Sequence, residues 1–251
     1  MHIYKAVFFT AMGIAVIIFG VYLWSWKQPE NAAAYGNLTS EEAAGIIKKG
    51  RSDNKLAIID SNLNSVQAFD SAWNKLNPDL VLVEGSLGFF LPGVMDPVKK
   101  FGIEGRAREL ALKRNLMLYS YRLDDKTITS ELMKKYSKEQ VALTMLLDSY
   151  YSGMAADKNI SPENIIRECI HKSRCGGFDA GFKSAREIDI IWVRDFGNSA
   201  DWRYAERLTG YAGTIAAEIK LMKKKHLQLL IASFLSSGKK VLAVDNLGIF
   251  N

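Results

Sequence analysis

The chain has 251 residues, 48% of them hydrophobic and 24% charged, which is the balance of a globular protein and not of a disordered one. That length supports one full domain with a sizeable core, or at most two small ones. The formal net charge of +6 suits anionic surfaces such as phospholipid, but the excess is modest. Its largest run, Lys223-Lys224-Lys225, reads as a solvated helix face; no nucleic-acid motif accompanies it, so no nucleic-acid partner is expected.

Residues 6–26, AVFFTAMGIAVIIFGVYLWSW, carry no charge. As a helix they extend about 31 Å, enough to cross the hydrocarbon core of a bilayer. Lys5 precedes them, and Tyr22, Trp24 and Trp26 crowd the far end, where aromatic rings prefer the interface. The expected organisation is a cytoplasmic N-terminus over 1–5, a signal-anchor over 6–26, a juxtamembrane linker over 27–54, and a body over 55–251 outside the cytoplasm. Two alternatives stay open. One is a cleaved signal with Ala32-Ala33-Ala34 at the cleavage site, and the other is a buried soluble helix. The linker holds a short helix that Thr39-Ser40-Glu41-Glu42 can cap.

Beyond residue 55, apolar runs alternate with amphipathic stretches. LAII (56–59) is a buried strand. SVQAFDSAWNKL (65–76) is a helix with Val66, Phe69, Trp73 and Leu76 on one face, broken by Asn77-Pro78-Asp79. LVLVEG (80–85) is the second strand, and SLGFFLPGVMDPV (86–98) is an apolar loop. A helix around 101–114 leads to a third strand, LMLYSYR (116–122). Ser137 and Gln140 form a capping box for a helix over 137–151. Residues 152–186 read as irregular. IDIIWVRD (188–195) is the fourth strand, a helical region covers about 199–235, and KKVLAVDNLG (239–248) is the fifth strand. This alternation predicts an α/β fold: a mostly parallel sheet of about five strands with helices on both faces, preceded by one N-terminal transmembrane helix.

Cys169 and Cys175 suit a small disulfide loop in an oxidising compartment. His171 between them keeps a metal site open as an alternative, although a fourth ligand is lacking, and two free thiols are the third option.

In parallel sheets the ligand crevice lies at the carboxyl ends of the strands. The strands end in Asp60-Ser61-Asn62, Glu84-Gly85, Arg122, Arg194-Asp195 and Asp245-Asn246. Each therefore delivers an ionisable residue to the same edge. At least three of these are expected to share one crevice.

LAIIDSNLNSVQAFDSAWNKLNPDLVLVEG resembles the opening of the superfamily that contains TraB, GumN, Tiki, ChaN and the erythromycin esterases. FGIEGRARELALKRNLMLYSYR, SKEQVALTMLLDSYY, IIWVRDFGNSADWRYA and GKKVLAVDNLG follow in the same order, so the resemblance covers about residues 55–250. It implies a Gly-x-x-His after the first strand and another after the last, a glutamate ending the second strand and an arginine after the fourth. Glu84 and Arg194 match and inherit the catalytic positions. Asp60-Ser61-Asn62-Leu63 and Asp245-Asn246-Leu247-Gly248 stand where the histidine motifs are expected, and neither keeps its histidine. Leu63 and Gly248 offer no lone pair to a metal or a proton. The three histidines, His2, His171 and His226, all lie away from strand ends, so no histidine-based metal site and no cofactor is expected.

Three readings of Asp60, Glu84, Arg122, Arg194 and Asp245 follow. In the first, the arginines pair with the acids and close a degenerate site. In the second, the edge binds a small anionic or peptide ligand without turnover, as a binding or regulatory module. In the third, Asp60, Glu84 and Asp245 form an all-oxygen site for a divalent metal in a hydrolase acting on ester or peptide bonds, with Arg194 stabilising the oxyanion. Ser61 and Ser86 lie nearby, but neither sits in a Gly-x-Ser-x-Gly elbow.

Overall fold

A computed structural model describes residues 29–31, 38–61, 65–85, 95–156, 160–175, 181–197, 201–205 and 208–246. The predicted span over 6–26 lies outside these residues, as do Leu63, Ser86 and Gly248. Among the described residues no helix is long and apolar enough to cross a membrane. The chain divides into two compact units. One comprises residues 1–122 with 225–251, and the other residues 123–224.

The first unit is the α/β part. Five strands, β1 (Glu30–Asn31), β2 (Leu56–Asp60), β3 (Leu80–Val83), β4 (Met117–Ser120) and β5 (Val241–Asp245), form one sheet in the order β1-β4-β3-β5-β2. Every pairing is parallel. The four longer strands coincide with apolar runs expected to be strands. β5 is buried throughout because it lies between β2 and β3.

Alternation along the strands sends side chains to two cores. Leu56, Leu80, Leu82, Val241 and Ala243 pack on one face with Ala43 and Ile47 of α1 (Ser40–Ser52) and with Leu227, Leu230 and Ile231 of α8 (Gly210–Ser236). Ile59, Val81, Val83, Leu242 and Val244 pack on the other with Phe69 and Trp73 of α2 (Val66–Leu76) and Ile103 and Ala107 of α3 (Pro97–Lys113). Helices thus cover both faces, as expected. The stretch 27–54, expected as a linker, supplies β1 and α1. Thr39 and Glu42 form a reciprocal capping box at the start of α1. Ser65 caps α2, and Asn77 ends it in the left-handed conformation.

Helix α3 is bent. Gly102 has φ 56° and ψ −135°, a backbone conformation open to glycine and strained for other residues. A Cβ on Gly105 would stand 2.0 Å from the Pro97 carbonyl oxygen. The pair Gly102/Gly105 therefore sets how the helix turns just before and after Glu104.

The second unit is helical: α4 (Asp125–Leu132), α5 (Lys138–Ala156), α6 (Pro162–Cys175), α7 (Ala185–Phe196), a 3-10 turn (Trp202–Tyr204) and the first part of α8. Its larger core joins Leu143, Leu147, Tyr150, Ile166, Ile188, Trp192 and Trp202. The Ser137–Gln140 capping box is present, with both hydrogen bonds formed.

Two expectations fail here. IDIIWVRD forms helix α7 and not a strand: Ile188, Ile191 and Trp192 are buried while Ile190 and Val193 are exposed, which is the 3.6-residue period. Residues 152–186, expected to be irregular, contain α6.

Candidate functional site

Asp60 and Asp245 end β2 and β5 and are register partners in the parallel ladder. Neighbouring strands run about 4.8 Å apart, so the register sets the two acids side by side on one face of the sheet. Both are buried, at 7% and 1% exposure. Ser61, the next residue, donates its N–H to the Asp245 carbonyl at 3.0 Å and so extends the ladder past the strand ends.

A chain of side chains runs along the same edge. The Ser61 hydroxyl bonds the Asn246 side-chain oxygen. Asn246 Nδ2 donates to Glu104 Oε1 at 2.6 Å, and the Glu84 N–H donates to the same oxygen at 3.0 Å. Tyr121 closes the edge from β4. Its hydroxyl donates to the Val244 carbonyl at 3.0 Å and accepts the Asn246 N–H at 3.3 Å. Ser120 Oγ donates to the Glu84 carbonyl at 3.1 Å and accepts the Arg122 N–H at 3.2 Å. The ends of β2, β3, β4 and β5 and the middle of α3 are thereby tied together by polar side chains.

Burial pushes the Glu104 carboxyl above its ordinary value, and the neighbouring Glu84 charge adds to this; the two donated hydrogen bonds oppose it. Burial likewise pushes the Tyr121 phenol up, with Glu84, Asp245 and Glu104 adding to the shift. Tyr121 is therefore a neutral hydrogen-bonding group at this edge. Arg108 lies one helical turn after Glu104 and is fully buried, which acts against its charge.

None of the family models, curated proteins or solved structures compared with this chain matches it.

Of the residues singled out from the sequence, Asp60, Glu84, Arg122 and Asp245 stand at the carboxyl edge of the sheet. Glu84 is half-buried directly after β3, and Arg122 follows β4 with its side chain exposed. Arg194 is not at a strand end. It sits in α7 of the second unit, where two guanidinium nitrogens bond Asp195 at 2.6 and 3.0 Å and one bonds Glu139. The segment that carries Arg194 is thus a helix and not the expected fourth strand. The oxygen-ligand set Asp60, Glu84 and Asp245 is not gathered as expected either. Among the described residues no group of three His, Cys, Asp or Glu is placed to hold a metal ion.

The disulfide expectation also fails. Cys169 is a free, half-buried thiol. Cys169 and Cys175 both belong to helix α6. Six residues of helix rise about 9 Å, beyond the roughly 7 Å that a disulfide can bridge between Cα atoms.

Glu104 and Tyr121 are the functional candidates that the strand-end reading missed. Tyr121 precedes Arg122 by one residue and faces inward where Arg122 faces out. Glu104 comes from a helix and not from a strand end. The available signal was GIEG, two glycines within a helical pattern with the acid between them.

Proposed function

We propose that the chain is a membrane-anchored, extracytoplasmic α/β module of the TraB/GumN-like kind that binds a ligand at the carboxyl edge of its sheet without turning it over. The observation that carries this reading is the series Ser61–Asn246–Glu104–Glu84. The side chains of Ser61, Asn246 and Glu104 and the Glu84 backbone N–H are engaged with one another, so this edge is held as a fixed polar frame. Asp60, Glu84, Glu104 and Asp245 give the edge an acidic character. The favoured ligand is accordingly a peptide or other small molecule that brings hydrogen-bond donors.

Thermal-shift screening of the full chain in detergent against peptide, amine and anion panels tests this. A ligand at a hundred times its Kd stabilises the folded state by about 2.7 kcal/mol. A peptide or amine that raises the Tm of the wild type but not of Glu104→Ala supports the reading. Ester or peptide hydrolysis that is lost in Glu84→Ala refutes it.

The second reading, a divalent-metal hydrolase, is favoured by Asp60 and Asp245 standing as adjacent buried carboxylates, since hard cations take oxygen ligands. Stoichiometric metal in the purified chain, lost on Asp60→Asn, would support it, and metal-free protein after dialysis against magnesium or calcium would end it.

A further inference from the structure

We propose that the outward face of helix α8 is a docking surface for anionic phospholipid headgroups. The inference is independent of the sheet edge and of ligand binding there. Helix α8 is continuous from Gly210 to Ser236. Thr214, Ala217, Lys220, Leu221, Lys224, Lys225 and Gln228 fall on one face of it at 3.6 residues per turn, a strip about 21 Å long. The exposures follow that face. Thr214, Ala217, Lys220, Leu221 and Lys225 are exposed and Lys224 and Gln228 are half-exposed, while the opposite side carries buried Ala212, Ile215, Leu227 and Leu230.

Two properties of the strip single out a lipid surface. It holds three lysines, and the acid that borders it, Glu218, is already matched by partners in the turn after α4. Among the described residues Lys220, Lys224 and Lys225 form no ion pair. Other charges of the same helix are matched: Glu218 bonds Lys135 and Tyr136, and the Lys223 charge acts on Asp148. The strip also places Leu221, 64% exposed, among the lysines. A basic helical face with an exposed aliphatic side chain at its centre fits the headgroup region: the lysines meet lipid phosphates and the leucine enters the acyl boundary. Lysines reach that plane readily because their stems are long and apolar.

The test uses the full chain with Cys169→Ala and Cys175→Ala, and an environment-sensitive dye on Leu221→Cys. It is mixed with vesicles of phosphatidylcholine alone or of phosphatidylcholine with phosphatidylglycerol. The expected result is a blue shift of the dye with phosphatidylglycerol only, reversed by high salt. Lys220→Glu, Lys224→Glu and Lys225→Glu together should lower the docked-to-undocked ratio about a hundredfold, and Lys224→Gln alone about fivefold. The single variant keeps the test valid should the triple variant lose its helical circular dichroism. Equal emission in both vesicle types, or an unchanged shift in Lys224→Gln, overturns the proposal. So does an equal shift caused by duplex oligonucleotide beside neutral vesicles, which would assign the face to nucleic acid. An absence of ligands for the sheet edge would leave this outcome unaffected.

Discussion

In the sheet unit Glu104 is held by an asparagine amide and a backbone N–H, whereas in the helical unit Asp189 and Asp195 are each held by two guanidinium nitrogens, of Arg203 and Arg194. Neutral donors leave burial as the larger effect, and the Glu104 carboxyl rises above its ordinary value. Cationic donors reverse that balance, and Asp189 and Asp195 fall below theirs. The same residue class therefore answers pH in opposite ways in the two units. A carboxyl whose affinity for protons is raised is one available to a ligand that donates hydrogen bonds; a carboxylate fixed by arginine is structural.

The strongest way to break this comparison is to remove what positions the edge. Leu82→Ala, at a fully buried strand position, should cost about 2–5 kcal/mol in urea unfolding, with Asn246 and Glu104 losing their mutual register. Tyr121→Phe keeps the ring but takes away the hydroxyl that bonds the Val244 carbonyl and the Asn246 N–H. Leaving those groups unmatched should cost about 1–3 kcal/mol, and hydrogen exchange at the Asn246 amide should quicken.

Glu104→Gln sharpens the contrast through pH. The folded chain holds the Glu104 proton more tightly than the unfolded chain, so this carboxyl contributes stability that is complete below its ordinary 4.5 and is lost as pH rises through the raised value. Glutamine keeps an oxygen to accept both hydrogen bonds and carries no charge. The variant should be more stable than wild type at neutral pH, and that advantage should vanish in acid. An unchanged pH slope in thermal unfolding would show that Glu104 does not carry it. Asp189 and Asp195 should act in the reverse sense, contributing stability above 3.8 that is lost as pH falls through their lowered values. The smallest effect belongs to Arg194→Ala. With the side chain 54% exposed, its loss should leave the denaturant midpoint nearly unchanged.

Four strands were legible in the sequence because parallel strands buried on both faces are written as uninterrupted apolar runs between polar turns. The fourth expected strand, IDIIWVRD, has a similar wording but a helical period, visible once Ile188, Ile191 and Trp192 are set against exposed Ile190 and Val193. The edge residues Asp60, Glu84 and Asp245 were legible for the same reason as their strands. Glu104 was not. Its place depends on a bend at Gly102 and a close approach at Gly105, tertiary facts that a helical pattern does not encode. Arg194 was assigned to the edge through the misread strand, and the cysteine pair through a loop that is a helix.

Strand β5 has a consequence for how the chain is made. It lies between β3 and β2, yet it is the last strand in the chain; Ser61 and Asn246 meet across a separation of 185 residues. A ribosome releases β2, β3 and β4 long before the strand that fills the gap between them. Residues 123–224, a contiguous segment, emerge during that interval and contain their own buried cluster. The nascent sheet must wait with an open slot whose two walls are apolar, a state that invites wrong pairing and calls for chaperone protection. A chain stopped before residue 241 should therefore carry folded helices and an unclosed sheet, and the acid pair should form only in the final moments of folding.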